Sequence, residues 1–267
     1  MSKKLFTTEQ EEFIKNNCLT MSYQEIGDCL GFSKKQISTW IYRYKIKKPK
    51  ERGEKYFEYI NTPLKAYFLG LIYADGTISA KKGRWRFCLA LQSQDKYVLD
   101  KLNQELGGEY KIEHRLPKQY FYNNKIINTS DVDALTVYSK EFVKNLVAQN
   151  IVPNKTHSDI FPIIDDEYFF DYLRGYIDGD GCFYISKDNL LVTTIVCNSR
   201  KNLEYIQSVL LRYDIQTFID PKKNSYILRC SRKKDNEKLL NRLYYEDGLF
   251  CLQRKYDKIK HLLGSAA

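Results

Sequence analysis

The chain has 267 residues, 43% of them hydrophobic and 28% charged, with a formal net charge of +10; this is enough apolar material for one large core or two domains plus an appendage, and it excludes a disordered chain. The seven cysteines contain no C-x-x-C pair, the three histidines give no zinc-site spacing, and no apolar run approaches the roughly 20 residues of a membrane span. The cysteines read as small buried hydrophobes, the first twelve residues lack the apolar stretch of a secretion signal, and the expectation is a cytoplasmic protein whose basic residues, spread over the whole length, suit an extended polyanion.

The first 45 residues repeat one signal: Thr8 with Glu11, Ser22 with Glu25 and Ser33 with Gln36 each have a hydroxyl three residues ahead of Glu or Gln, the pattern that satisfies free N–H groups at a helix start. Three short helices are predicted, with a glycine turn at Leu30-Gly31-Phe32-Ser33 and a small core of Phe13, Ile26, Leu30, Ile37, Trp40 and Ile41. This is a helix-turn-helix pattern, assigned to residues 1–48. Its third helix would turn Lys34, Lys35, Ser38, Thr39, Tyr42 and Arg43 toward base edges and phosphates. From Lys34 to Lys55 nine basic residues stand against two acidic ones, and residues 49–56 read as a basic linker that also follows phosphates.

Beyond the linker the chain repeats itself. Phe68 to Gly76 reads FLGLIYADG and Leu173 to Gly181 reads LRGYIDGDG, so Gly70, Ile72, Asp75 and Gly76 recur as Gly175, Ile177, Asp180 and Gly181, with Tyr67 and Tyr172 extending the match. Gln94 lies 19 residues after Asp75 and Asn198 lies 18 after Asp180. Each precedes an amphipathic helix, with Leu99, Leu102 and Leu106 matched by Leu203, Ile206 and Leu210. Lys155 and Lys255 follow their aspartates by 80 and 75 residues. Two repeats of this length imply a fused pseudodimer of mixed α and β halves that share one core and one site.

As helices, both motifs place small residues four apart, Gly70 with Ala74 and Gly175 with Gly179, which lets two backbones approach closely. Gly76 and Gly181 are expected as left-handed glycine caps. The two carboxylates then sit together at helix C-termini, where the helix dipole adds partial negative charge. That arrangement becomes favourable when hard divalent cations bind between the carboxylates and nearby carbonyls, and such ions can polarise a phosphate and activate water.

After the first motif, Lys81-Lys82-Gly83 reads as a hairpin tip and Arg84 to Gln92 as a strand. Trp85, Phe87, Leu89 and Leu91 point to one face, and Arg84, Arg86, Cys88, Ala90 and Gln92 to the other. A sheet with a basic polar face suits a major groove, and Lys111, Arg115, Lys118, Lys125, Lys187, Lys222, Lys223, Arg229 and Arg232 are further candidates for that surface.

At the residues quoted, each motif resembles the pattern of the LAGLIDADG homing endonucleases, and the resemblance to the single-chain, two-motif branch covers roughly Phe57 to Leu263. It implies an α+β fold: two pseudo-symmetric αββαββα halves, residues 57–158 and 159–263, form a DNA-binding saddle, with the small all-α domain ahead of them and 264–267 left as a tail. It implies a monomeric, metal-dependent endonuclease of a mobile genetic element that hydrolyses one phosphodiester on each strand of a long double-stranded DNA target. Asp75 and Asp180 would hold Mg²⁺, with the Ala74 and Gly179 carbonyls as further ligands; Mn²⁺ would substitute, and Ca²⁺ would support binding without cleavage. Lys155 and Lys255 would neutralise transition-state charge, and Gln94 and Asn198 would order solvent around the metals. One departure is Tyr73, which stands where the second copy has Asp178 and is expected to affect packing between the halves. The alternatives are an RNA-binding intron maturase and a non-catalytic DNA-binding regulator; an HNH nuclease is disfavoured because His114, His157 and His261 have no suitable neighbours.

Overall fold

A computed structural model describes residues 5–18, 21, 23–44, 51–81, 83–122, 125–155 and 158–263. The chain divides into two compact units, Met1–Gly53 and Glu54–Ala267.

In the first unit, α1 (Thr8–Asn17), α2 (Tyr23–Leu30) and α3 (Lys34–Arg43) pack around Phe6, Ile14, Cys18, Ile26, Ile37, Trp40 and Ile41, with Phe13 and Leu30 partly buried against them. Gly31 makes the turn before α3 at φ +73°, a conformation that carries little penalty only for glycine. The start of α1 lies one residue earlier than predicted. Thr7, not Thr8, is the cap: its Oγ1 accepts from the Gln10 N–H at 3.2 Å, and the Gln10 Oε1 accepts from the Thr7 N–H at 3.0 Å. Ser33 and Gln36 form the expected reciprocal pair, whereas Ser22 lies outside the described residues. Most of the predicted linker does too; the remainder is the helical turn α4 (Glu51–Glu54), followed by Tyr56 and Phe57, which already belong to the core of the second unit.

The second unit is two copies of one pattern. The first half runs α5 (Pro63–Asp75), β1 (Thr77–Lys81), β2 (Arg84–Gln92), a 3-10 turn at Ser93–Asp95, α6 (Lys96–Glu105), β3 (Ile112–Arg115), β4 (Gln119–Tyr122), β5 (Lys125–Asn128), β6 (Val132–Val137) and α7 (Lys140–Ala148). The second runs α8 (Phe169–Asp180), β7 (Gly181–Ile185), β8 (Leu191–Cys197), α9 (Arg200–Arg212), β9 (Phe218–Pro221), β10 (Tyr226–Cys230) and α10 (Lys233–Leu243), closed by α11 (Gln253–Tyr256). The two antiparallel sheets have matching strand orders, β1-β2-β6-β3 and β7-β8-β10-β9. They differ in one insertion: the β4–β5 hairpin stands where the second half joins β9 to β10 by a tight turn with Lys222 N–H bonded to Ser225 O at 2.8 Å.

Helix α5 is apolar nearly all round and is buried from Ala66 to Tyr73, as an interior helix should be. The amphipathic helices cover the sheets as the periodicity requires: Leu99, Leu102, Leu203, Ile206 and Leu210 are fully buried. One continuous core extends through both halves. The cysteine reading needs correction, because Cys29 and Cys182 are exposed and only Cys18, Cys88, Cys230 and Cys251 are buried. Cys29 falls on the outer face of a short helix and Cys182 at a strand edge, where one thiol adds little by burial. No helix among the described residues is long and apolar enough to cross a membrane.

Candidate active site

The site begins with the packing of α5 against α8. A methyl group added at Gly70 would lie 2.0 Å from the Tyr172 carbonyl oxygen, and one at Gly175 would lie 1.9 Å from the Tyr67 carbonyl oxygen. Each glycine admits the backbone of the other helix, as small-residue spacing allows. Lower down, a methyl at Gly179 would meet the Ala74 methyl at 2.2 Å and the Asp75 Oδ2 at 3.0 Å. The first motif therefore tolerates alanine only because the second has glycine opposite it, and the Asp75 carboxylate reaches across the pair toward α8.

Both helices end in Asp-Gly, but the glycines are not left-handed caps. Gly76 has φ −70°, ψ 143° and Gly181 φ −95°, ψ 167°, both extended. Glycine is needed for closeness: a methyl at Gly76 would lie 2.6 Å from Ile72 O, and one at Gly181 would lie 2.7 Å from Ile177 O. The chain can thus leave each helix directly into β1 or β7, which leaves Asp75 and Asp180 exposed at the helix ends.

The electrostatics follow from that placement. Asp180 is pushed up to about 6 by its partial burial and by the negative charge of Asp75, against the pull of Lys155 and Lys255. Asp75 is raised by burial, and Lys255, Lys155 and Arg254 oppose the shift. Burial lowers both lysines, while the aspartates favour their charged forms. The lysine ammonium groups hold backbone: Lys155 Nζ donates to Gly76 O, and Lys255 Nζ donates to Ile177 O (2.8 Å), Gly179 O (3.2 Å) and Gly181 O (2.6 Å). They thereby satisfy carbonyls left open at the helix ends and stand beside the two carboxylates. Among the described residues no cluster of three or more His, Cys, Asp and Glu side chains could hold a metal. The donor set is two carboxylates plus carbonyl oxygens, which suits a hard divalent cation.

Comparisons with known proteins place the fold. A profile described as a LAGLIDADG-like domain matches residues 167–244, and one described as a WhiA LAGLIDADG-like domain matches residues 64–132. The chain belongs to the LAGLIDADG family. It has the single-chain, two-motif form, with α5 and α8 as its LAGLIDADG helices. Among solved structures, the meganuclease I-SmaMI bound to uncleaveable DNA aligns with a TM-score of 0.53 at 14% identity, over 76% of this chain and 92% of that one. I-WcaI bound to its DNA recognition sequence gives 0.51 at 14% identity over 75% and 87%, and I-LtrWI bound to target DNA gives 0.51 at 16% over 75% and 89%. At these identities the likeness is one of fold. No curated protein matches the chain.

Within the LAGLIDADG unit, Gln94 and Asn198 occupy equivalent places after the second strand of each half, both exposed. The Gln94 amide donates to Gln92 Oε1 at 2.6 Å, so in this structure it is turned toward a strand residue. The departure at position 73 is accommodated by packing, as expected. Tyr73 Oη accepts from Asn202 Nδ2 at 2.5 Å, and its ring lies 5.1 Å from Tyr176. The corresponding Asp178 is buried and accepts from Tyr67 Oη at 2.9 Å and from the Leu252 N–H at 2.7 Å. Burial pushes it up to about 6. With tyrosine in place of a second aspartate, the Tyr172 hydroxyl is left buried without a hydrogen-bond partner among the described residues.

Two features escaped the sequence reading. Asp95, buried next to Gln94, accepts from Arg254 Nε at 3.2 and 2.9 Å and joins the two halves. His114 does have neighbours, Asp133 and Ser93, each 3.3 Å from its Nδ1. Both approach the same ring nitrogen, so they do not form a relay. Neither feature is signalled by spacing: the register of β3 and β6 sets His114 opposite Asp133, and Asp95 meets Arg254 from 159 residues away.

The basic candidates fall into groups. On β2, Arg84 and Gln92 are exposed, Cys88 is covered, and Arg86 Nε is buried without a partner among the described residues. Lys111, Lys118, Lys125, Lys187, Lys222 and Lys223 are exposed at strand ends and turns. Arg115 is within 3.8 Å of Glu113, Arg229 Nε donates to Asp220 at 2.9 Å, and Arg232 Nη1 donates to Gln216 at 2.5 Å. Lys34, Lys35, Thr39 and Arg43 are exposed on α3, and the Ser38 hydroxyl donates to Lys35 O at 3.0 Å. The side chains of Tyr42 and Lys81, the residue Lys82 and the tail 264–267 lie outside the described residues.

Proposed function

We propose that this protein is a site-specific endonuclease that cuts both strands of double-stranded DNA. The observation that carries the reading is the pair of carboxylates, Asp75 and Asp180, held together at the ends of two helices in glycine contact and flanked by Lys155 and Lys255. Like charges brought this close oppose the fold, so a ligand that rewards the arrangement is the simplest account of it.

Asp75 and Asp180, with the Ala74 and Gly179 carbonyls beside them, would hold Mg²⁺ or a similar ion. Such an ion, when bound, supplies Lewis-acid charge and a more acidic water. In the hydrolysis a water oxygen forms a bond to phosphorus, one P–O ester bond breaks, and the proton lost by the water ends on the leaving oxygen. Lys155 and Lys255 would lend positive charge as negative charge grows on the phosphate oxygens. Gln94 and Asn198 would turn their amides to solvent at the site.

The saddle would lie along the duplex with its basic strand residues in the grooves, and the exposed lysines at strand ends would meet phosphates. The three-helix unit would add α3 as a second reading element. The profile match of the first half to a domain named for WhiA favours a second reading, a DNA-binding protein that keeps the saddle without cutting.

Cleavage of a plasmid library with random inserts, in Mg²⁺, decides between them. Site-specific linear product from the parent, lost in both Asp75→Asn and Asp180→Asn, is the expected result. Tight, specific DNA binding with no breaks would establish the second reading instead.

A further inference from the structure

The two halves differ where the catalytic lysines begin. Lys255 is preceded by Arg254, whereas Lys155 is preceded by Asn154, an exposed residue at φ +57°. The residue after the polar position differs in step: Gln94 is followed by Asp95, and Asn198 by Ser199. Asp95 and Arg254 have found each other across the halves. Ser199 instead donates to Asp159 at 2.7 Å and caps α9.

The geometry of the pair is selective. Asp95 is 4% exposed, and both of its oxygens accept from Arg254 Nε, at 3.2 and 2.9 Å. Held at Nε, the guanidinium keeps both Nη groups free of a hydrogen-bond partner among the described residues, and the side chain remains 40% exposed. Through Asp95 the group stands beside Gln94, the polar position of the half that carries Asp75, and it is the immediate neighbour of Lys255, whose ammonium holds the end of α8. A buried carboxylate spent on a half-exposed arginine is a weak device for stability. A planar fork fixed at one nitrogen, with its two others left to bond, is the arrangement that receives phosphate oxygens.

We infer that Arg254 is a third cation of the catalytic centre, held by Asp95 and serving the phosphate on the Asp75 side alone, so that the two strands of the target are cut at unequal rates. The inference rests on the endonuclease reading. In the step written above, the Arg254 Nη groups donate to a non-bridging oxygen of the phosphate under attack and transfer no proton. Arg254 is then a catalytic residue and Asp95 a positioning residue.

The test uses a supercoiled plasmid carrying one target selected by the parent protein, with time courses of open-circular and linear product and with end-labelled strands to locate each nick. Arg254→Gln is expected to cut one strand at near the parent rate and the other about tenfold more slowly or worse. Open circles would then accumulate with the nick always on the same strand. Asp95→Asn should move the same ratio in the same direction by less, and Arg254→Lys should restore part of it. Equal slowing of both strands, or no change, would overturn the inference, since a clamp between the halves would affect both strands alike. A metal-free binding curve for Arg254→Gln within about threefold of the parent separates loss of chemistry from loss of fold. A parent protein that binds its duplex and cuts neither strand overturns the endonuclease reading and this inference with it, whereas a variant that cuts both strands as the parent does overturns the inference alone.

Discussion

Replacing Asp180 with Asn should make the metal-free protein more stable at neutral pH while abolishing cleavage. The carboxyl rises from its ordinary 3.8 to about 6 in the fold, roughly two units, which at about 1.36 kcal/mol per unit sets an upper bound near 3 kcal/mol. Because Asp180 is solvent-exposed, water and salt screen much of that, and about 1 kcal/mol is the reasonable expectation. The sign follows from the direction of the shift. A carboxyl whose pKa is raised on folding holds its proton more tightly in the folded state, so its contribution is fully present below about pH 4 and is lost as the pH rises through about 6. Asn does not titrate, so the variant should gain its advantage over that interval. The assay is equilibrium urea unfolding in EDTA at pH 4.5, 6 and 7.5. It is best done with Trp40→Phe as background, so that Trp85 in the second unit is the reporting indole. A variant no more stable than its background at pH 7.5, or an advantage that persists unchanged at pH 4.5, would refute the account of the paired carboxylates. Added Mg²⁺ should reverse the order, since binding to the two-carboxylate site stabilises only the background protein.

Other consequences can be checked separately. Gly175→Ala places a methyl 1.9 Å from the Tyr67 carbonyl oxygen, and forcing the two helices apart should cost about 3 kcal/mol, seen as a fall of roughly 10 °C in melting temperature by calorimetry. Lys255→Met removes a buried ammonium that bonds three carbonyls and should destabilise by about 2 to 4 kcal/mol, whereas Lys155→Met, with its one bond to Gly76, should cost about 1 kcal/mol; urea midpoints rank the two. Binding to a target duplex should weaken steeply with salt, the slope of log K against log salt reaching about −5 or beyond if six or more phosphates are neutralised, and a fluorescence-anisotropy titration series measures it. Removing residues 1–53 should leave a folded second unit that still cuts, with an affinity for the target reduced about tenfold or more if α3 reads DNA.

Much of this protein was legible from residue order. Period and repetition are local properties, so the repeated Gly-x-x-x-small-Asp-Gly signature, the amphipathic α6 and α9 and the three short N-terminal helices could be read directly, and doubling the motif implied the pseudo-twofold pairing of its aspartates. The three-residue capping signal marked α1 but misplaced its start by one, because Thr7 and Thr8 both satisfy the pattern and only the backbone's entry angle chooses between them. Other features depend on what lies opposite a residue. Gly76 and Gly181 read as left-handed caps and proved to be extended, their lack of a side chain needed for closeness to Ile72 and Ile177 rather than for torsional freedom. Lys155 and Lys255 could be placed by interval, but not their grip on the helix-end carbonyls. The β4–β5 insertion, the Asp95–Arg254 pair and the orphaned Tyr172 hydroxyl are differences between two nearly equivalent halves. Sequence order shows how the halves are alike, because the repeat is written in it; the β4–β5 insertion is a local hairpin, but the Asp95–Arg254 pair joins residues 159 apart and the Tyr172 hydroxyl is orphaned by what stands opposite it, so the packing of one half against the other decides both.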